Sequence, residues 1–187
     1  MASYVAFLRA INVGGRVVKM EALKKSFVRL GFSDVDTFIA SGNVLFSSRA
    51  KDTAKLERQI EKQLEKDLGY EVSTFVRTVE EVIEVSGYVA FSGSDVESAR
   101  VLYVGFLAAP LSREAQTALG RMASDLDRFH ANGREWYWLT WAKQGESKIS
   151  NGAIEKALKV RSTLRGMNTI VRLAGRLSLQ TQASRNR

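Results

Sequence analysis

The order of strand-like and helix-like segments in this chain runs β-α-β-β-α-β and then repeats, and that repetition limits the fold more than any single residue does. Tyr4–Ala10 is apolar and reads as a buried strand, broken at Asn12-Val13-Gly14-Gly15. Met20, Leu23, Phe27 and Leu30 follow helical spacing, and Gly31 closes that helix. Val35–Ala40 and Val44–Ser48 read as two strands, joined by the compact turn Ser41-Gly42-Asn43. Leu56, Ile60, Leu64 and Leu68 recur every four residues in a charged stretch, which makes an amphipathic helix that Gly69 stops. Val72–Val76 is the fourth strand.

A short helix over Val79–Val85 and a Gly/Ser stretch from Ser86 to Ser94 read as a linker. The order then begins again. Val101–Ala108 is a strand, and Pro110 and Ser112 start a helix that runs to about Ser124. Leu126–Ala131 and Glu135–Trp141 are strands around an Asn132-Gly133 hairpin turn. Ile154 and Leu158 mark a helix, Arg161–Leu164 a short strand, and Met167–Leu177 a last helix. The class is therefore α+β: two ferredoxin-like βαββαβ subdomains in tandem with a C-terminal helix. Residues 1–78 form the first, 79–98 the linker and 99–177 the second with its helix. Residues 178–187 are a polar tail expected to fray.

This topology has a consequence for function. In a split βαβ unit the first two strands run the same way, with the third antiparallel between them. The loop after strand 1 and the hairpin between strands 2 and 3 then lie at one end of the sheet. That places Arg9–Lys19 near Ser41–Asn43 in the first half, and Pro110–Ser112 near Asn132–Arg134 in the second.

Composition narrows the setting. The 187 residues include no Cys, which excludes disulfides and thiolate metal sites and disfavours secretion. Arg9 interrupts the first apolar stretch, so no signal peptide is read. The longest uncharged apolar run, Val101–Leu111, falls far short of the roughly 20 residues that span a bilayer, so no membrane association is expected. A cytoplasmic location is the expectation. The net charge of +8 comes wholly from residues 143–187, which carry ten basic and two acidic side chains, while residues 1–142 balance at 18 of each. A basic C-terminal region either solubilises the surface or meets an anionic partner.

The residues Leu8-Arg9-Ala10-Ile11-Asn12-Val13-Gly14-Gly15, then Met20, Leu23, Gly31-Phe32 and Ala40-Ser41-Gly42-Asn43-Val44, resemble the N-terminal signature of the bacterial family known as domain of unknown function 1697. Ser162-Thr163-Leu164-Arg165-Gly166-Met167-Asn168-Thr169 resembles its C-terminal signature, which usually reads Thr-Thr-Arg-Asn-Trp-Asn-Thr. Here a Leu enters before Arg165, and Gly166-Met167 stands in place of Asn-Trp. The resemblance implies two ferredoxin-like subdomains and implies no activity.

Three constellations carry chemistry. The first is Arg9, Asn12, Gly14, Gly15, Arg16 and Lys19, facing Ser41, Gly42 and Asn43. Glycines that expose backbone N–H groups, followed by a helix N-terminus and flanked by cations, suit an anion such as phosphate. The alternative is that the glycines serve turns and that Asn12 and Asn43 bond to backbone. No cofactor motif is present: the Gly-Lys-Ser/Thr element of a Walker loop is missing, and there is no dinucleotide fingerprint.

The second is aromatic. Tyr103 and Phe106 on one strand, with Trp136, Tyr137, Trp138 and Trp141 on another, occupy strands that stack bases in RNA recognition motifs. The alternative, which the sequence favours, is that these rings are core. The third is Ser147, Lys148, Thr163, Arg165, Asn168 and Thr169, a second candidate anion site at a helix start, or simply capping chemistry.

Acid–base chemistry is thin. His130 is the only His, so a two-His metal site is excluded, and its place inside a strand favours packing. Asp125 and Asp127 read as turn and cap residues. Glu80, Glu81 and Glu84, and the mixed charges from Lys55 to Asp67, read as solvated helix faces. The leading expectation is a binding protein for a phosphate-bearing ligand at the first constellation. The second is nucleic-acid binding through the basic C-terminal region and the strand aromatics. The third is an enzyme acting on a small phosphorylated substrate, which requires an acid or base that the sequence does not supply.

Overall fold

The computed structural model describes residues 1–12, 17–40, 42–143, 146 and 149–185. Its elements are β1 (Ala2–Leu8), α1 (Met20–Arg29), β2 (Ser33–Thr37), β3 (Asn43–Ser48), α2 (Thr53–Leu68), β4 (Thr74–Thr78), α3 (Val79–Gly87) and α4 (Gly93–Ser98). They continue with β5 (Val101–Phe106), α5 (Arg113–Arg121), β6 (Asp127–Asn132), β7 (Glu135–Thr140), α6 (Asn151–Leu158), β8 (Thr163–Gly166) and α7 (Met167–Arg185). Two four-stranded antiparallel sheets result, in the orders β2-β3-β1-β4 and β6-β7-β5-β8. The expected α+β fold with two ferredoxin-like halves is what the chain adopts. By compactness it divides into Met1–Val85 with Leu173–Arg187, and Ser86–Arg172. No helix among the described residues is long and apolar enough to cross a membrane.

In the first unit, period-2 alternation along the strands and period-3.6 spacing along the helices meet in one core. Tyr4, Ala6, Leu8, Val44, Phe46 and Val76 face Leu23 and Phe27 of α1 and Leu56, Ile60 and Leu64 of α2. Phe46 anchors the aromatic part, with Phe27 edge-on at 5.4 Å and Phe32 stacked at 4.5 Å between ring centres.

Charged residues expected to be solvated turn inward instead. Strand β4 lies at a sheet edge, so its outward amides need acceptors. Thr74 N–H donates to Glu61 Oε1 at 2.9 Å, Val76 N–H to Glu57 Oε1 at 2.8 Å, and Thr78 N–H to Glu81 Oε2 at 2.8 Å. Glu81 N–H in turn donates to Thr78 Oγ1 at 3.2 Å, a capping box that starts α3. Asp67 at the end of α2 accepts from Ser26 Oγ at 2.6 Å, Gln63 Nε2 at 2.9 Å and Arg29 Nη1 at 2.8 Å. The Ser26 and Gln63 bonds, which favour the ionised form, hold its carboxyl below the usual range.

The last helix reaches Arg185, beyond the end near Leu177 that the sequence reading gave it. Ser178 to Arg185 contains neither Gly nor Pro to stop it. Its Arg176 donates to Asp36 of β2, which also receives Lys24 Nζ at 2.9 Å. The Lys24 hydrogen bond, helped by those from Thr37 N–H and Arg176, lowers the Asp36 carboxyl to about 2. A depressed carboxylate stabilises the fold above its unfolded pKa of about 3.9 and loses that contribution as the pH falls. Asp36→Asn is expected to cost at most about 1 kcal/mol at neutral pH, because the group is largely solvated. It should also flatten the acid limb of a stability–pH profile between about pH 4 and about pH 2, as followed by urea unfolding.

In the second unit, Trp136 and Trp138 of β7 face α5 and α6 and pack among Leu107, Leu111, Leu119, Ile154 and Leu158. Trp138 Nε1 donates to Asp127 Oδ1 at 2.8 Å. The Trp136 ring lies directly over Gly105, where an added Cβ would sit 2.1 Å from Cε2. Only hydrogen fits there. Gly105→Ala is therefore expected to lower stability by about 1–3 kcal/mol through overpacking, measured by thermal or urea unfolding.

Candidate functional site

Two connections meet at one end of the first sheet, as the topology requires. Residues 9–19 join β1 to α1, and residues 38–42 join β2 to β3. Backbone bonds tie them to the sheet: Leu8 N–H donates to Gly42 O at 2.8 Å, Arg9 N–H to Ser73 O at 2.8 Å, and Phe38 N–H to Asn43 O at 2.9 Å. Gly42 has φ +73°, and a Cβ there would meet Ile11 Cγ2 at 2.7 Å, so the two connections touch where only glycine fits. Ala10 and Ile39 also take positive φ, at 55° and 52°. For a β-branched residue such as Ile39 that conformation is strained.

Asn12 clamps the pair. Its Nδ2 donates to Ala40 O at 3.0 Å, and its Oδ1 accepts from Val18 N–H at 2.8 Å. Asn43 is fully buried, with Nδ2 donating to Phe38 O at 3.1 Å. Both asparagines thus bond to backbone and shape the connections, the alternative that the sequence left open beside ligand contact. A buried amide side chain must satisfy its polar atoms internally, and the hairpin carbonyls lie within reach. Arg9 is half-buried and Lys19 is exposed. Lys19 precedes α1, which has no side-chain cap at its N-terminus. Gly14, Gly15, Arg16 and Ser41 lie outside the described residues.

The second unit supplies an internal comparison. Leu107 N–H donates to Arg134 O at 2.9 Å, the counterpart of the Leu8–Gly42 bond. There the strand–helix connection takes six residues, 107–112, against eleven in the first unit, and the hairpin two, 133–134, against five. Ser112 caps α5, its Oγ accepting from Ala115 N–H at 3.2 Å. The same fold therefore closes without the longer connections, which belong to the first copy alone.

The described residues of the third constellation divide between buried and exposed positions. Arg165 of β8 is buried, its Nη1 donating to Thr163 Oγ1 at 2.9 Å and Leu164 O at 2.8 Å. Desolvation pushes its guanidinium down to about 10. Thr163 is buried as well, while Asn168 is exposed and Thr169 half-buried in the first turn of α7. Ser147 and Lys148 lie outside the described residues. Arg77 of β4 occupies the matching register in the first sheet, opposite Val5 as Arg165 is opposite Val104, and it is fully buried too. A buried arginine at this position is thus a shared feature of both sheets.

Trp136 and Trp138 are core, the alternative that the sequence favoured over a stacking platform. Tyr137 is buried, stacked on Tyr88 at 5.1 Å. Trp141 is half-buried, with Arg128 over its ring at 5.0 Å. His130 meets the Tyr88 hydroxyl through Nε2 at 2.8 Å, a packing role. Asp127 holds Trp138 and Ser124, and no cluster of three acidic or His side chains among the described residues is placed to hold a metal ion. Sequence reasoning missed the acceptor roles of Glu57, Glu61 and Glu81. Only the last had a signal, the Thr78-x-x-Glu81 spacing of a capping box.

Asn12→Ala removes both bonds of the clamp and is expected to destabilise by about 1–2 kcal/mol. Hydrogen exchange at the Val18 amide should rise well above the loss seen in the β1 amides.

A model of the family described as "Protein of unknown function (DUF1697)" matches residues 1–137. That span contains both connections and ends before Ser162–Thr169. No curated protein matches the chain. Among solved structures, a conserved bacterial protein from Streptococcus pneumoniae aligns with a TM-score of 0.71 at 20% identity, covering 95% of this chain and 99% of that one. At that identity the likeness is one of fold.

Proposed function

The chain belongs to the DUF1697 family of proteins of unknown function, and from its first unit we propose that it binds a phosphate-bearing ligand at the β1–α1 and β2–β3 connections. The observation that carries this reading is the asymmetry between the copies. Only the first has the long connections, and only there does the strand–helix crossover, which carries Arg9 and Lys19, end in a helix start without a side-chain cap. Uncapped first-turn N–H groups carry partial positive charge and favour an anion. Two cations at the same connection add charge-assisted bonds.

Binding is favoured over catalysis. Neither connection contains an acidic residue or a histidine, which leaves Lys19, here assigned to the anion, as their one candidate for general acid–base chemistry. The nucleic-acid reading loses its stacking platform with the burial of Trp136 and Trp138.

The test is a thermal-shift titration with inorganic phosphate, nucleotides and sugar phosphates, repeated on variants. Arg9→Ala and Lys19→Ala are each expected to weaken binding about 10- to 100-fold, the range for a lost charge-assisted bond. For Lys19→Ala the unfolding midpoint without ligand should barely move, because Lys19 is exposed. A panel that shifts nothing, or variants that lose stability and binding in equal measure, would end this reading.

A further inference from the structure

Four strands lie at sheet edges: β2, β4, β6 and β8. An edge exposes unpaired N–H and C=O groups that invite another strand, and folded chains blunt such edges with charge, bulges or cover. Three of the four are blunted here. On β4, Glu57, Glu61 and Glu81 occupy the outward amides. On β2 the register shifts between Ser33 and Asp36, and the Asp36 carboxylate takes the Thr37 amide. Strand β8 has only four residues, and Glu155 Oε1 accepts from Ser162 N–H at its start at 2.7 Å.

Strand β6 is different. It pairs with β7 in unbroken register over all six of its residues. Trp141 N–H donates to Leu126 O at 2.9 Å, which sets the phase of the ladder. Arg128, His130 and Asn132 therefore bond toward β7, and Asp127, Phe129 and Ala131 point their backbone groups outward. Asp127 and Ser124 bond each other's backbone. For Phe129 and Ala131 no acceptor or donor of this kind is present among the described residues.

We propose that β6 is a self-association edge, and that its occupant is β6 of a second copy of this chain. The register is self-complementary. Antiparallel pairing about a two-fold axis through His130 sets Phe129 of each copy beside Ala131 of the other, which gives two hydrogen-bonded pairs and a continuous eight-stranded sheet. Arg128 falls opposite Asn132 and Asp127 opposite Gly133, so neither charged residue meets its like. Phe129 opposite Ala131 sets a large side chain against a small one. Blunting of the other three edges fixes the outcome: a chain with one open edge closes as an isologous dimer, whereas two open edges would permit a fibre.

The decisive variant is Ala131→Pro. Its outward amide serves no bond inside the sheet, and proline is tolerated at such edge positions. Sedimentation equilibrium of the full chain across a wide concentration range should show the mass doubling for the unaltered protein. Ala131→Pro should remain monomeric, with unchanged circular dichroism and unfolding midpoint. Independently of that variant, hydrogen exchange on the unaltered protein should show Phe129 and Ala131 amides gaining protection on concentration. A chain that stays monomeric at every concentration overturns the proposal, in favour of an extended segment of another protein as occupant. A dimer that persists in folded Ala131→Pro, or protection gained elsewhere than at these two amides, overturns it as well. Should Ala131→Pro fail to fold, the exchange result decides.

Discussion

The outer strand of the first sheet has a neighbour on one side only, and the way its outward amides are satisfied fixes much of what surrounds it. Glu57 and Glu61 stand one turn apart on α2 and bond amides two residues apart on β4. That match sets both the position and the rotation of α2. With the helix so held, Leu56, Ile60 and Leu64 fall into the core, and Asp67 comes within reach of Ser26 and Arg29 on α1. Helix α1 in turn carries Lys24 to Asp36, where Arg176 of the last helix also bonds. A requirement of the backbone at one edge is thus transmitted through two helices to the opposite edge strand. The net gain from each bond is small, but leaving a buried amide without an acceptor costs about 1–3 kcal/mol, and this penalty gives the arrangement its specificity.

Two copies of one topology in a single chain separate what the fold needs from what it does not. Both copies tie strand 1 to the following hairpin through the same amide, Leu8 in one and Leu107 in the other. Both bury an arginine at the same register of their fourth strand. Both cap the start of that strand with a glutamate from the preceding helix, Glu61 and Glu155. These shared features belong to the architecture. The eleven-residue crossover and the strained hairpin belong to the first copy only. Strain of this kind costs about 1–3 kcal/mol and persists where the surroundings over-determine it. Here the Asn12 clamp and the Ile11–Gly42 contact supply that constraint.

The elements that periodicity defines were legible. Every strand of both halves, and every helix but α4, follows from apolar spacing and from glycine or serine boundaries; α4 buries nothing and falls where the sequence reads as a linker. What periodicity cannot supply is the partner of a polar side chain. Glu57 and Glu61 look like any charged pair on an amphipathic helix until the strand beside them is known. Asn12 and Asn43 sit among glycines in turns, where ligand contact and turn closure use the same amide chemistry, and only the positions of Ala40 O, Val18 N and Phe38 O decide between them. Arg165 reads as part of an anion site at a helix start, yet its strand parity turns it inward. The two tryptophans were read as core, and they are; their partners proved to be α5 and α6.

Those assignments change what an anion would meet at the first unit. With both asparagine amides engaged in closing the connections, orientation of a ligand falls to backbone N–H groups and to charge. Long cationic side chains at the margin act over a greater range and tolerate variation in what the phosphate is attached to. On the proposed reading, such a site would select for phosphate-like geometry and tolerate variation in the rest of the molecule. Any finer discrimination must then come from what lines the approach, where Val17 and Ile39 stand exposed beside the clamp.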